Sequence, residues 1–207
     1  MNRVLRSIVS AAAAALFFQT AAAQDLSPDA LVKSVTEDVI AVVKQDKEIQ
    51  AGSSKKTIAL VEEKVLPHFN FTRMTALAMG VNWRKATPDQ QKIIVEQFRT
   101  LLVRTYSTAL SAYRSQVIEV RPLRAQPADT EVVVHSEVKQ SGAEPVSIDY
   151  SMEKTPGGWK VYDVAVGGVS LVTTYRDTFA SEVRNAGIEG LIKALSAKNQ
   201  QLASRSG

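Results

Sequence analysis

The hydrophobic period of this chain changes twice, and that change limits the folds open to it. From Ser27 to Tyr113 apolar residues recur every three or four positions; from Gln116 to Val166 they alternate; after Gly168 the helical spacing returns. Helices, then strands, then helices segregate into an α+β domain instead of interleaving as parallel βαβ units. Four alternating runs are expected as strands: Gln116–Leu123, Thr130–Lys139, Pro145–Glu153 and Gly157–Val166. Short turns join them, Ser141-Gly142 and Pro156-Gly157-Gly158 among them, so the spacing predicts a four-stranded antiparallel meander with one face on the core. The third run is the cleanest, with Val146, Ile148, Tyr150 and Met152 set against Ser147, Asp149, Ser151 and Glu153.

Capping chemistry marks the helices. Ser27-Pro28 opens one that carries Leu31, Val35, Val39, Val42 and Val43 and stops at Gly52; Ser53 or Ser54 opens another that ends before Pro67. Asn70 starts a short helix with Met74, Leu77, Ala78 and Met79, which Gly80 ends. Thr87-Pro88-Asp89-Gln90 is a capping box, from which a long helix reaches about Tyr113. After the strands, helices are expected over about Leu171–Asn185 and Ile188–Leu202, separated at Gly187. In Gly157–Val172 a strand hands over to a helix across Gly167-Gly168, read as a bend that lets the helix close one end of the sheet. On this strand Tyr162, Val164 and Val166 are expected to share a face.

The ends bound the domain. Arg3 and Arg6, the apolar stretch Ile8–Phe18 and Ala21-Ala22-Ala23 form a secretory signal peptide over residues 1–23. No cysteine follows, which excludes lipoprotein processing, and no later stretch approaches a membrane span of ~18 apolar residues. The expectation is an exported, soluble single domain over residues 24–202, with 203–207 a frayed tail. With no cysteine at all it stands on its core alone. Without Arg3 and Arg6 the formal charge is about +2, and no basic run is present, so nucleic-acid binding is a poor fit.

Reactive chemistry is sparse. His68 and His135 are the only histidines, and neither has a metal-type partner at helical spacing, so no metal site is expected. There is no phosphate-binding glycine loop, dinucleotide fingerprint or nucleophile elbow. Gly167-Gly168-Val169-Ser170 resembles a nucleophile turn only loosely, with no histidine to serve it. Asp163 is the lone carboxylate in an apolar strand: either a general acid or base, or, the favoured reading, an outward residue paired with Arg or Lys. His135 reads as solvated, and Trp83 and Trp159 as core edges.

Four ordered blocks make the chain resemble the MlaC-type, or toluene-tolerance, family of periplasmic phospholipid-binding proteins. They are Val65–Phe71 with Met74 and Ala78-Met79-Gly80; Trp83–Gln91; Phe98–Tyr106; and Trp159–Val164 with Gly168–Leu171 and Tyr175–Phe179. The resemblance implies a curved sheet under a helical layer, similar to nuclear-transport-factor-like folds, with acyl chains between the layers and the head group near solvent. It implies a monomeric carrier in the periplasm with phospholipid as cargo, no cofactor and no catalysis. Its implied partners are an outer-membrane lipoprotein–porin complex and an inner-membrane ABC transporter with ring-forming substrate-binding domains, in a system that maintains outer-membrane lipid asymmetry.

Alternation and helical stripes nominate the pocket residues. On the helical side these are Phe69, Met74, Leu77, Leu102, Tyr106 and Leu110; on the strands Ile148, Tyr150, Met152, Tyr162, Val164 and Val166; at the corner Val169, Leu171, Val172 and Tyr175. A charged residue at Val166 or Leu171 is expected to displace lipid. Two other functions stay open on such a fold: a periplasmic enzyme, marked by a strongly shifted titratable group deep in the cavity, and an adaptor, marked by an exposed groove or sheet edge.

Overall fold

The computed structural model describes residues 26–113, 115–126 and 128–205. The expected signal peptide, residues 1–23, and the last two residues of the expected tail lie outside the described residues. The remainder is α+β: a five-stranded open antiparallel sheet in the order β1-β2-β3-β4-β5, packed against helices. The strands are β1 (Val117–Val120), β2 (Glu131–Lys139), β3 (Val146–Thr155), β4 (Gly158–Val166) and β5 (Val169–Ser170). The four long runs are thus the expected meander, and β5 adds two residues that alternation alone does not distinguish from the helix start.

The helices begin where the caps put them. Ser27 accepts from Ala30 N–H at the head of α1 (Pro28–Gln45), and Asp29 in its first turn accepts from the Leu123 backbone N–H at 3.2 Å, tying α1 to the loop after β1. The segment to Gly52 is not one helix, because Asp46 accepts from Glu48 and Ile49 N–H and starts a separate turn, α2 (Lys47–Gln50). Ser53 caps α3 (Ser54–Lys64) and Asn70 caps α4 (Phe71–Met79), which ends at Gly80 with φ +54. The Thr87–Gln90 capping box is complete at the start of α5 (Pro88–Tyr106). That helix is interrupted at Ser107, whose backbone is still helical, and resumes as α6 (Thr108–Ser111). The last helix, α7 (Leu171–Arg205), is broken at Gly187, where φ is +70 and ψ −174, and runs through 203–205 of the expected tail.

Two features of β4 shape the inner face of the sheet and its end. The register of β4 against β3 slips between Ser151↔Asp163 and Met152↔Val161, leaving Tyr162 as the extra residue of a β-bulge. Val161 and Val164 therefore face the same side, and Tyr162 faces away from Val164. At the end of β4, Gly167 and Gly168 (φ +57 and +80) form a two-residue turn with both φ positive, the geometry that suits a tight right-twisted hairpin. The chain folds back, Val166 pairing with Val169 and Ala165 with Ser170, before α7 starts. The corner is therefore a hairpin and not a direct handover to helix.

Apolar packing divides into three clusters. The first joins α4, α5 and α7 through Met74, Ile94, Phe98, Leu102, Phe179 and Leu191. The second lays Val32 of α1 against Val134, Met152, Val161 and Val164 on one sheet face. The third joins α1, α2 and α3 through Val39, Val43, Ile49 and Leu60.

Candidate functional site

The three clusters do not close on one another. Between them lies a cavity of about 300 Å³, to which each contributes wall: Met74 and Leu102 from the first, Val32, Met152, Val161 and Val164 from the second, Val39 and Val43 from the third. It has twice the volume of the ~150 Å³ engineered apolar cavities that stay dry and take up small hydrocarbons.

Each element reaches the cavity by its own period. Leu31, Val35, Val39 and Ile40 belong to the stripe of α1, and Val61 and Val65 to that of α3. A 3-10 turn, Leu66–His68, follows α3 and brings in Leu66 and His68, then Phe69 and Phe71. The C-terminal part of α5 and the residues after it add Val103, Tyr106, Ser107, Leu110 and Tyr113. The sheet adds Ile118, Tyr150, Met152, Val161 and Val164, and Leu171 closes the wall at the start of α7. Among the described residues no Asp, Glu, Lys or Arg lines the space; the polar groups there are the hydroxyls of Thr36, Ser107 and three tyrosines, and the imidazole of His68. The cavity is not sealed, since Tyr106 in its wall is 39% exposed.

The titratable groups of the wall are tuned by burial. Tyr150 is raised above its ordinary value, chiefly by burial, against a lowering hydrogen bond with Ser136. Behind Tyr106, Tyr175 is pushed up to about 12 by burial and by the Tyr106 phenol. Burial, helped by the Lys160 ammonium, holds His68 below its ordinary value.

Of the sixteen nominated residues, Phe69, Met74, Leu102, Tyr106, Leu110, Tyr150, Met152, Val164 and Leu171 line the cavity. The other seven do not. The bulge turns Tyr162 outward, where the Arg73 guanidinium stacks 3.7 Å from its ring centroid and its hydroxyl donates to Glu131. Val166 (41% exposed) and Val169 (61%) sit at the hairpin beyond the end of the cavity, although they keep the alternation. Ile148 packs on the sheet cluster. Val172 is 1% exposed within the helical cluster, and Tyr175 packs edge-on against Phe98 at 5.0 Å. Leu77 packs on the helical cluster and borders a surface depression, where Arg176 donates to its carbonyl. Sequence reading missed the α1 and α3 walls, Val103 and Ile118. Their stripes are visible in the sequence, but a stripe does not say whether it meets a neighbour or a void.

The catalytic alternatives resolve into structure. Asp163 is not paired with Arg or Lys: it accepts from Val164 N–H, from Ser170 Oγ at 2.5 Å and from Val172 N–H, while Ser170 Oγ accepts from Thr173 N–H. Asp163 and Ser170 together cap α7. His135 bonds Asp149 at 2.7 Å across β2 and β3 and is half-exposed, away from the cavity wall. Among the described residues no group of three or more His, Cys, Asp or Glu could hold a metal, and no helix is long and apolar enough to cross a membrane.

Comparison with known proteins points one way. The sequence model of the MlaC protein family matches residues 33–197. The chain is 28% identical over 188 residues to the toluene tolerance protein ttg2D of Pseudomonas putida, covering 90% of this chain and 86% of that one. It is 25% identical over 169 residues to the intermembrane phospholipid transport system binding protein MlaC of Haemophilus influenzae, covering 76% of each. Its fold is similar to that of a phospholipid-binding protein from Ralstonia solanacearum solved in complex with a phospholipid: TM-score 0.80, 42% identity, 86% of this chain and 99% of that one.

Proposed function

The chain belongs to the MlaC protein family, and on that premise we propose that it is a phospholipid carrier whose acyl chains occupy the cavity between α1, α3, α5 and the sheet. The observation that carries this reading is the wall itself: an apolar space of about 300 Å³ to which, among the described residues, no carboxylate, ammonium or guanidinium contributes. A wall of this kind suits acyl chains, which make no demand for charged groups. Each acyl methylene in water costs about 0.8 kcal/mol, so two chains of roughly 14 methylenes come to ~20 kcal/mol, which only deep burial offsets. An empty apolar cavity is costly in its turn: at ~24 cal/mol per Å³, 300 Å³ corresponds to about 7 kcal/mol, within the 5–15 kcal/mol stability of a whole domain. Cargo and container therefore stabilise one another.

In the finer reading the protein works in the periplasm after loss of residues 1–23 and shuttles phospholipid between an outer-membrane lipoprotein–porin complex and an inner-membrane ABC transporter with ring-forming substrate-binding domains. It serves there as a monomeric substrate-binding component that maintains outer-membrane lipid asymmetry. The names of its relatives support lipid transport, and the uncharged cavity supports a carrier over an enzyme. Solvent extraction and mass spectrometry of protein purified without detergent test the reading. Near-stoichiometric phospholipid is expected; repeated absence of phospholipid, with no uptake from vesicles, would refute it.

A further inference from the structure

One buried hydroxyl in the cavity wall has no partner of its own. Ser107 is 5% exposed and lines the cavity. Its backbone is satisfied: the N–H donates to the Val103 carbonyl at 2.9 Å, and the carbonyl accepts from Leu110 N–H at 3.0 Å. Its side chain makes no cap bond to α6 and, among the described residues, no other hydrogen bond. The five other buried polar residues behave differently. Thr57 and Thr75 donate to carbonyls one turn back, Ser136 to the Ile148 carbonyl and Asn199 to Gln97, while Asn82 accepts from Lys85. A buried hydroxyl left without a partner costs more than a hydrogen bond usually returns. Ser107 Oγ is not sealed in, because among the described residues the one sealed side-chain polar atom without a partner is Asn199 Oδ1. The space that Ser107 borders is the cavity, so its hydroxyl is free to meet what the cavity holds.

We infer that Ser107 donates a hydrogen bond to an ester carbonyl of the bound phospholipid and so selects ester-linked chains. This rests on the carrier reading above. Depth selects the group. Tyr106, one residue earlier, is 39% exposed where the cavity opens, whereas Ser107 is buried, so the hydroxyl lies just inside the mouth. A phosphodiester keeps its charge in water, and acyl methylenes accept no hydrogen bond. The ester carbonyls lie between the two and are the acceptors that reach this depth. A carbonyl placed there satisfies the hydroxyl and the ester together, each of which would otherwise be buried without a partner.

Delipidated protein is offered vesicles holding equal amounts of dioleoyl phosphatidylglycerol and its dioleyl ether analogue, with the same head group and chain length, and the bound lipids are counted by mass spectrometry. Ser107→Ala is expected to lower the ester-to-ether ratio about fivefold. Ser107→Thr, which keeps a hydroxyl in a cavity with room for a methyl, should hold the ratio near the wild-type value. The infrared carbonyl band of bound dioleoyl phosphatidylglycerol should show a hydrogen-bonded, lower-frequency component that the alanine variant lacks. A hydroxyl with a structural role would show in the empty protein instead. Delipidated Ser107→Ala is expected to melt no lower than the wild type, whereas Ser136→Ala, which removes the bond to the Ile148 carbonyl, should melt lower. A ratio and carbonyl band unchanged in Ser107→Ala, or a fall in Tm matching that of Ser136→Ala, would overturn the ester contact and leave the carrier standing. Failure of the wild type to load either lipid would instead overturn the carrier reading.

Discussion

Filling the cavity should stabilise the stripped protein and evict its cargo at once. Val35 is the position for this test: it lies on the cavity stripe of α1, half-buried, with an ordinary helical neighbourhood. Val35→Trp adds a ring that occupies roughly a third of the 300 Å³; removing about 100 Å³ of void at ~24 cal/mol per Å³ stabilises by up to ~2 kcal/mol. For a domain of this size that is a rise of about 4–8 °C in Tm. Thermal unfolding of delipidated protein, with lipid extraction from the same preparations, reads both consequences. Ala78→Trp is the control, because Ala78 is 0% exposed in the closed helical cluster and overpacking there should cost about 1–3 kcal/mol. If Val35→Trp were destabilising like Ala78→Trp, or stabilised the protein while retaining full lipid, the cavity would be either filled already or not where the cargo sits.

Three further outcomes rest on named contacts. Leu171→Asp puts a charge in the wall and should strip most of the lipid from folded protein, whereas Val166→Asp, at the hairpin beyond the cavity, should leave lipid content unchanged; extraction of both variants checks this. Asp163→Ala removes the carboxylate that binds Ser170 and the Val172 N–H at the head of α7, and should cost about 1–2 kcal/mol in urea unfolding. The Glu131 carboxyl lies below its ordinary value, chiefly through the hydrogen bond from Arg73. A depressed folded pKa contributes stability that is present above the ordinary carboxylate range and is lost as pH falls through the folded value. Arg73→Ala should therefore lower stability at neutral pH and make its loss below about pH 4 shallower, as seen in unfolding measured across pH.

Much of the fold is legible in the sequence because capping and alternation act locally. Thr87, Pro88 and Gln90 are adjacent in sequence and satisfy each other's backbone neighbours whatever the rest of the chain does. The meander is legible for the same reason: Val146 to Met152 alternate on a strand that is half-buried by one layer. The site is less so. A β-bulge carries no compulsory glycine or proline, so nothing in Lys160-Val161-Tyr162-Asp163 announces that Val161 faces the cavity and Tyr162 the opposite side. Alternation fixes a face but not how far along it the cavity extends, which is why it nominates Val166 and Val169 though they lie past its end. Helical spacing likewise gives a stripe and not its partner: Val172 and Tyr175 pack into the α4–α5–α7 cluster, while Val39 and Val61, which read as ordinary core, border the void. The Gly167-Gly168 turn is visible, but two residues of β5 are too few to show a period.

Photochemical mapping of the acyl chains tests the central claim most directly. A phospholipid carrying a diazirine near the end of one chain is loaded, irradiated, and its adducts are located by peptide mass spectrometry. Adducts are expected on wall residues such as Val39, Leu102, Met152 and Val161. Adducts confined to exposed apolar residues outside the wall, such as Val133, Val166 and Val169, would contradict the account, because the chains would then lie on the surface of the sheet and not within the cavity.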